Sequence, residues 1–286
     1  MSTIYHVGPS WGGFASVRHL IVFGDSYSAV GVIDGQNKPS AVNPLGVRFP
    51  GHTWNEPDKP NWIGHLITKY TPGPRFKPGK SLRKQDPQWV KSPLLVHDFA
   101  RGGDTVDGVK RQVETSFLPD LGEKPQWAPW TATDSLFVTW VGINDCARSA
   151  GENRPHDTLF SLQEQLYDAG ARNFLFFDVP TIHRFPLERQ GKMQATFESW
   201  NMTLCEAIER FSAAHDDASV FLFSAFRAFD SLLDHPETFG LKAEDIRRFN
   251  GTVWFDHIHP TSQVHDFIAN HVAIFLNGIP AHMCSL

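Results

Sequence analysis

The chain has 286 residues, a formal charge of −5 and a pI near 6.3. That length suits one large α/β core better than two small ones, and the lack of any basic run argues against nucleic acid as a partner. Mean hydropathy is −0.29, and no apolar stretch nears the ~20 residues of a membrane-spanning helix, so no membrane span is expected.

The first residues, Met1-Ser-Thr-Ile-Tyr-His6, lack the basic and apolar regions of a secretory leader, so a cytoplasmic protein is expected from the chain as written. Two sequons, Asn201-Met-Thr203 and Asn250-Gly-Thr252, fit the alternative of secretion after loss of a leader. Five short apolar runs then read as buried strands: His19 to Phe23, Leu94 to Phe99, Ser135 to Val141, Asn173 to Val179 and Ser219 to Phe223. Apolar on both faces, they fit parallel strands covered by helices on each side.

Helical periodicity lies between and after the later runs. Asp157 to Ala171 carries Leu159, Leu162, Leu166 and Tyr167; Gly191 to His215 carries Phe197, Met202, Cys205, Ile208 and Phe211. Thr261 to Asn277, after Pro260, carries Val264, Phe267, Ile268, Val272 and Phe275. Strands alternating with helices predict right-handed crossovers and a doubly wound sheet in a single domain, residues 1–286.

The stretch from about 32 to 93 differs. It holds half of the chain's 20 prolines and little periodicity, apart from an amphipathic piece near Asn61 to Tyr70. Fixed prolines interleaved with Phe49, Trp54 and Trp62 predict an ordered surface excursion. Because it leaves shortly after Ser26, one wall of a substrate cleft is its expected use. Most of the 23 Phe and 9 Trp are expected in the core. The three cysteines, Cys146, Cys205 and Cys284, form no disulfide framework and no Cys-x-x-Cys, so no structural zinc site is expected.

Four blocks carry chemistry. The first, His19-Leu-Ile-Val-Phe-Gly-Asp-Ser26, runs an apolar strand into Gly24-Asp25-Ser26. Ligands of open α/β sheets bind beyond the carboxyl ends of strands, so Ser26 stands where a nucleophile belongs. Read alone, a helix cap is its default reading. A serine hydroxyl also needs a base. His259 in Trp254-Phe-Asp-His-Ile-His259 is the expected base, with Asp256 three residues earlier to hold its Nδ1–H. His257 is the competitor, expected to point elsewhere.

The other two blocks supply donors for a developing oxyanion. The glycines of Phe99-Ala-Arg-Gly-Gly-Asp-Thr105 let a backbone N–H approach a ligand, and Asn144 of Val141-Gly-Ile-Asn144 offers an amide. Singly, each also reads as an ordinary turn or loop cap. Together with the Ser26 N–H they make three donors.

In this order the blocks resemble the GDSL-type esterases of the SGNH-hydrolase superfamily. The resemblance places Ser26 on the nucleophile, Gly103 and Asn144 on the oxyanion hole, and Asp256 with His259 on the closing acid and base. Trp11-Gly-Gly-Phe14, Asn43-Pro-Leu-Gly46, Pro60-Asn-Trp62 and Gly170-Ala-Arg-Asn-Phe174 are similar to the fungal carbohydrate esterase family 16 acetylesterases. The resemblance implies a three-layer, flavodoxin-like α/β/α fold around a five-stranded parallel sheet. It also implies no cofactor, and hydrolysis of acetyl or other short acyl esters of sugars or small metabolites. Two departures stand out: Tyr27 replaces the leucine of the family name, and Ala29 stands where many relatives have aspartate. A lipase or lysophospholipase is the alternative within enzymes, and a non-catalytic carbohydrate-binding module the alternative outside them. A metal hydrolase on Asp256, His257 and His259 is disfavoured, since ligands so close in sequence struggle to face one ion.

Overall fold

A computed structural model describes residues 1–32, 38–70, 72, 75–148, 155–188 and 193–282. Cys284, and Gly191 with Lys192 at the start of one expected helix, lie outside the described residues. Among the described residues, six strands form one sheet: β1 (Thr3–His6), β2 (His19–Gly24), β3 (Leu95–Asp98), β4 (Ser135–Trp140), β5 (Asn173–Phe177) and β6 (Ser219–Phe223). Their order is β1-β6-β5-β4-β2-β3.

The five expected strands are present and parallel, and their residues are almost all buried, as a sheet covered on both faces requires. The expected count of five is corrected to six. β1 adds an antiparallel edge on β6, pairing Thr3 with Leu222 and Ile4 with Phe221. It escapes sequence reading because it is four residues long and none of them is fully buried, so no apolar run marks it.

Without β1, the strands follow the flavodoxin-like order, and the winding reverses between β2 and β4. That switch point opens a crevice beyond Gly24 and Trp140, which are paired in register.

Among the described residues, eight α-helices accompany the sheet: α1 (Trp62–His65), α2 (Pro87–Lys91), α3 (Val106–Arg111), α4 (Ile143–Arg148), α5 (Pro155–Asp168), α6 (Gln194–Ala214), α7 (Ala225–Asp234) and α8 (Ser262–Asn277). Wider π turns extend α1 through Leu66–Tyr70 and α3 through Gln112–Phe117. α8 packs against α1 and touches α7, whereas α5 packs between α3 and α6. Caps fix the helix starts. Thr261 Oγ1 accepts from Val264 N–H, and Ser224 Oγ from Arg227 N–H. No described helix is long and apolar enough to cross a membrane.

Part of the Pro-rich excursion reaches the core. Leu45, Trp62, Ile63, Leu66, Ile67 and Phe76 are buried. The Trp62 ring lies 5.2 Å from Phe177 and 6.3 Å from Trp140, whose rings stack at 4.7 Å. Asn61 caps α1 and donates to the carbonyls of Ser28 and Ala29, at 2.9 and 3.2 Å. This fastens the excursion to the turn after β2. Truncating a ring such as Trp140 to alanine costs about 3–5 kcal/mol in a packed core.

Candidate active site

β2 ends at Gly24, where any Cβ would overlap the Trp140 carbonyl oxygen, so only glycine lets β2 and β4 approach there. The buried Gln112 brackets this residue. Its Oε1 accepts from Gly24 N–H at 2.9 Å, while its Nε2 donates to Gly24 O at 2.7 Å and to Asp104 Oδ2 at 2.8 Å. Beyond Gly24 the chain turns: Asp25 Oδ1 accepts from Tyr27 N–H at 3.0 Å, and Asp25 O accepts from Ser28 and Ala29 N–H. Ser26 sits on that turn.

Ser26 Oγ lies 2.9 Å from His259 Nε2, and His259 Nδ1 lies 2.8 Å from Asp256 Oδ2. The other carboxylate oxygen accepts from Ile258 N–H and His259 N–H, both at 2.8 Å. Burial works against the charged form of Asp256. Hydrogen bonds from the His259 side chain and the Ile258 and His259 backbones outweigh it, holding the carboxyl down to about 2. An ionised Asp256 can only accept, so His259 carries its proton on Nδ1 and turns the Nε2 lone pair toward the Ser26 hydroxyl. His257 is exposed, and its carbonyl accepts from Leu187 N–H.

Gly103 and Asn144 arrive from the ends of β3 and β4. The Arg101-to-Asp104 turn places Gly103 at φ +79°, and Arg101 N–H donates to Gly24 O at 3.2 Å, which ties this block to the first. Asn144 Nδ2 donates to Asp104 O at 3.0 Å and makes a long 3.5 Å contact to Asp25 Oδ2. Among the described residues, no protein acceptor takes the N–H of Ser26 or of Gly103. The fully buried Asp25 is pushed up to about 7 by desolvation, with the charges of Asp145 and Asp104 adding to it.

The structure thus brings Ser26, Asp256 and His259 into one hydrogen-bonded line, and joins the Gly103 and Asn144 turns to it through Gly24, Asp25 and Asp104. Three further contributors have no individual role in the sequence reading, although Trp54 lies in the excursion expected to wall the cleft. Gln112 fixes the turn before Ser26. Tyr27 donates its hydroxyl to Ile258 O at 2.5 Å. Trp54 stacks on the His259 ring, with centroids 5.3 Å apart and planes 29° from parallel. An open groove of about 380 Å³ runs along Trp54, His52, Arg101, Gly102, Ala29 and Gly31.

Residues 20–272 match the model of the GDSL-like lipase/acylhydrolase family. The chain belongs to that family. It is a carboxylic ester hydrolase. It is 29% identical to an acetylesterase of Thermothelomyces thermophilus over 90% of this chain and 88% of that protein. Its fold is similar to that of an acetyl xylan esterase from Geobacillus stearothermophilus, with a TM-score of 0.56, 14% identity, and coverage of 94% of this chain and 100% of the other. A G-D-S-L lipolytic protein from Veillonella parvula has a TM-score of 0.50 at 12% identity, covering 91% of this chain and 99% of its own.

Proposed function

We propose that the chain hydrolyses short acyl esters, acetyl esters above all, of carbohydrates or small metabolites through an acyl-enzyme on Ser26. The carrying observation is the line Ser26 Oγ, His259 Nε2, His259 Nδ1, Asp256 Oδ2, with steps of 2.9 and 2.8 Å. The names of the acetylesterase and acetyl xylan esterase relatives support the acetyl preference.

In this reading His259 takes the Ser26 proton as Oγ attacks the ester carbonyl. Asp256 stabilises the imidazolium that forms and keeps its orientation. The tetrahedral oxyanion receives hydrogen bonds from the N–H groups of Ser26 and Gly103 and from Asn144 Nδ2. The Asn144 hydrogen that makes only the long contact to Asp25 is the one available for this. His259 then protonates the departing alcohol oxygen. A water, deprotonated by the same imidazole, releases the acid and regenerates Ser26. One oxyanion donor is worth about 2.7–4 kcal/mol of barrier.

Substituting Ser26→Ala tests this reading. Hydrolysis of p-nitrophenyl acetate is expected to vanish while the circular dichroism spectrum is retained; turnover in the variant sinks it. A series of p-nitrophenyl esters of rising chain length, with kcat/KM falling beyond the shortest acyl groups, separates the acetylesterase from a lipase.

A further inference from the structure

We infer that Trp54 is the stacking platform of an alcohol-side subsite, which holds a pyranose ring against the groove beside His259. This inference rests on the reading that the alcohol leaves by protonation from His259. Trp54 remains 43% exposed although it is fixed on several sides. One face lies on the His259 ring, and its Nε1–Cε2–Cζ2 edge lies so close to Gly102 that any Cβ there would overlap Cζ2 and Cε2. Gly102 is therefore the residue that admits the indole, a separate role from that of Gly103.

The loop that carries Trp54 is a rigid mount. Thr53 Oγ1 and Asn55 Nδ2 both donate to Lys59 O, at 2.9 and 3.0 Å, closing the loop on itself. Glu56 Oε2 accepts from Ser262 N–H at 2.7 Å, which ties the loop to the first turn of α8, just beyond His259. A large aromatic surface held open to solvent at the base that must protonate the leaving group suits an alcohol with a flat apolar face and polar edges. A pyranose has that shape. The face of the ring lies on the indole, and its hydroxyls meet the polar side of the groove, where His52 and Arg101 stand. Tryptophan supplies such contact at low conformational-entropy cost, because its ring is rigid and already placed.

The test compares two acetyl esters, peracetylated xylopyranose and ethyl acetate, on the wild type and on Trp54→Ala and Trp54→Phe. Trp54→Ala is expected to lower the ratio of kcat/KM for the sugar ester over that for ethyl acetate by about tenfold, mostly through KM. Trp54→Phe, which keeps a ring, is expected to recover part of that ratio, with thermal melts showing all three proteins folded. A ratio unchanged within about twofold overturns the inference, because Trp54 would then only pack on His259. Failure of the underlying esterase reading gives a different result, since the wild type would then hydrolyse neither ester through Ser26.

Discussion

Tyr27 donates its buried hydroxyl to the carbonyl oxygen of Ile258, 2.5 Å away, and so joins the turn that presents Ser26 to the turn that presents His259. The two turns come from opposite ends of the chain, and their spacing decides whether Ser26 Oγ meets His259 Nε2. Burial pushes the phenol well above its ordinary range, with Asp25 and Asp256 adding to it, so the hydroxyl stays a donor at every working pH. Tyr27 also packs edge-on against Trp140 at 5.3 Å, which anchors the ring to β4.

Removing only that hydroxyl, in Tyr27→Phe, leaves the packing and orphans the Ile258 carbonyl. A loss of about 1–3 kcal/mol in stability is expected. Because the two turns are then free to drift, kcat should fall several-fold with KM little changed. Denaturant melts and steady-state kinetics check both parts; an unchanged kcat means the bond is structural alone.

Asp256→Asn replaces an acceptor-only carboxylate by an amide that can face His259 Nδ1 with its N–H, turning the imidazole to the wrong tautomer. A fall in kcat on the order of 10³–10⁴ is expected. His259→Ala should abolish turnover, whereas the exposed His257→Ala should keep most of it. The opposite pattern in p-nitrophenyl acetate assays would make His257 the base and overturn the role given to His259.

The five parallel strands and the chemical blocks were readable in sequence because each block is local. Gly24-Asp25-Ser26 directly ends an apolar run, Gly103 and Asn144 follow two others, and Asp256 reaches His259 within one turn. α7 went unread, although Ser224 stands as a cap and Ala225, Phe229 and Leu232 follow at helical spacing. α4 was masked because Asn144 and Asp145 lend polar, loop-like character to its first turn. Gln112 was not legible as a site residue and Trp54 only as one aromatic of an expected cleft wall, since their specific contacts are made across the fold. Gln112 reaches back 88 residues to Gly24, and Trp54 meets His259 only when the excursion folds over α8.

Asp25 makes stability depend on pH in a defined direction. Its pKa rises from 3.8 to about 7 on folding, so between those values the folded chain holds a proton that the unfolded chain has lost. Its contribution therefore falls as pH rises through that window, and above about 7 the native state carries a buried charge. Asp25→Asn keeps an oxygen for Tyr27 N–H and has no charge to lose. Relative to wild type, its melting temperature should improve steadily from about pH 4 to about pH 8. A difference that stays flat across that range contradicts the burial assigned to Asp25.

Gln112→Leu removes both hydrogen bonds that bracket Gly24 and the one to Asp104, while preserving most of the side-chain volume. Each buried group left unpaired costs about 1–3 kcal/mol. A lower melting temperature and a lower kcat are expected together, since the turn that carries Ser26 loosens. Thermal melts with kinetics at a temperature well below the transition separate the two effects.

The proposed acyl-enzyme is open to direct observation. Wild-type protein quenched in acid during turnover of p-nitrophenyl acetate, digested and analysed by peptide mass spectrometry, should carry one acetyl group on the peptide containing Ser26. The same treatment of Ser26→Ala should leave every peptide unmodified and release no nitrophenolate. An acetyl group on another residue, or nitrophenolate released by Ser26→Ala at the wild-type rate, contradicts the role given to Ser26.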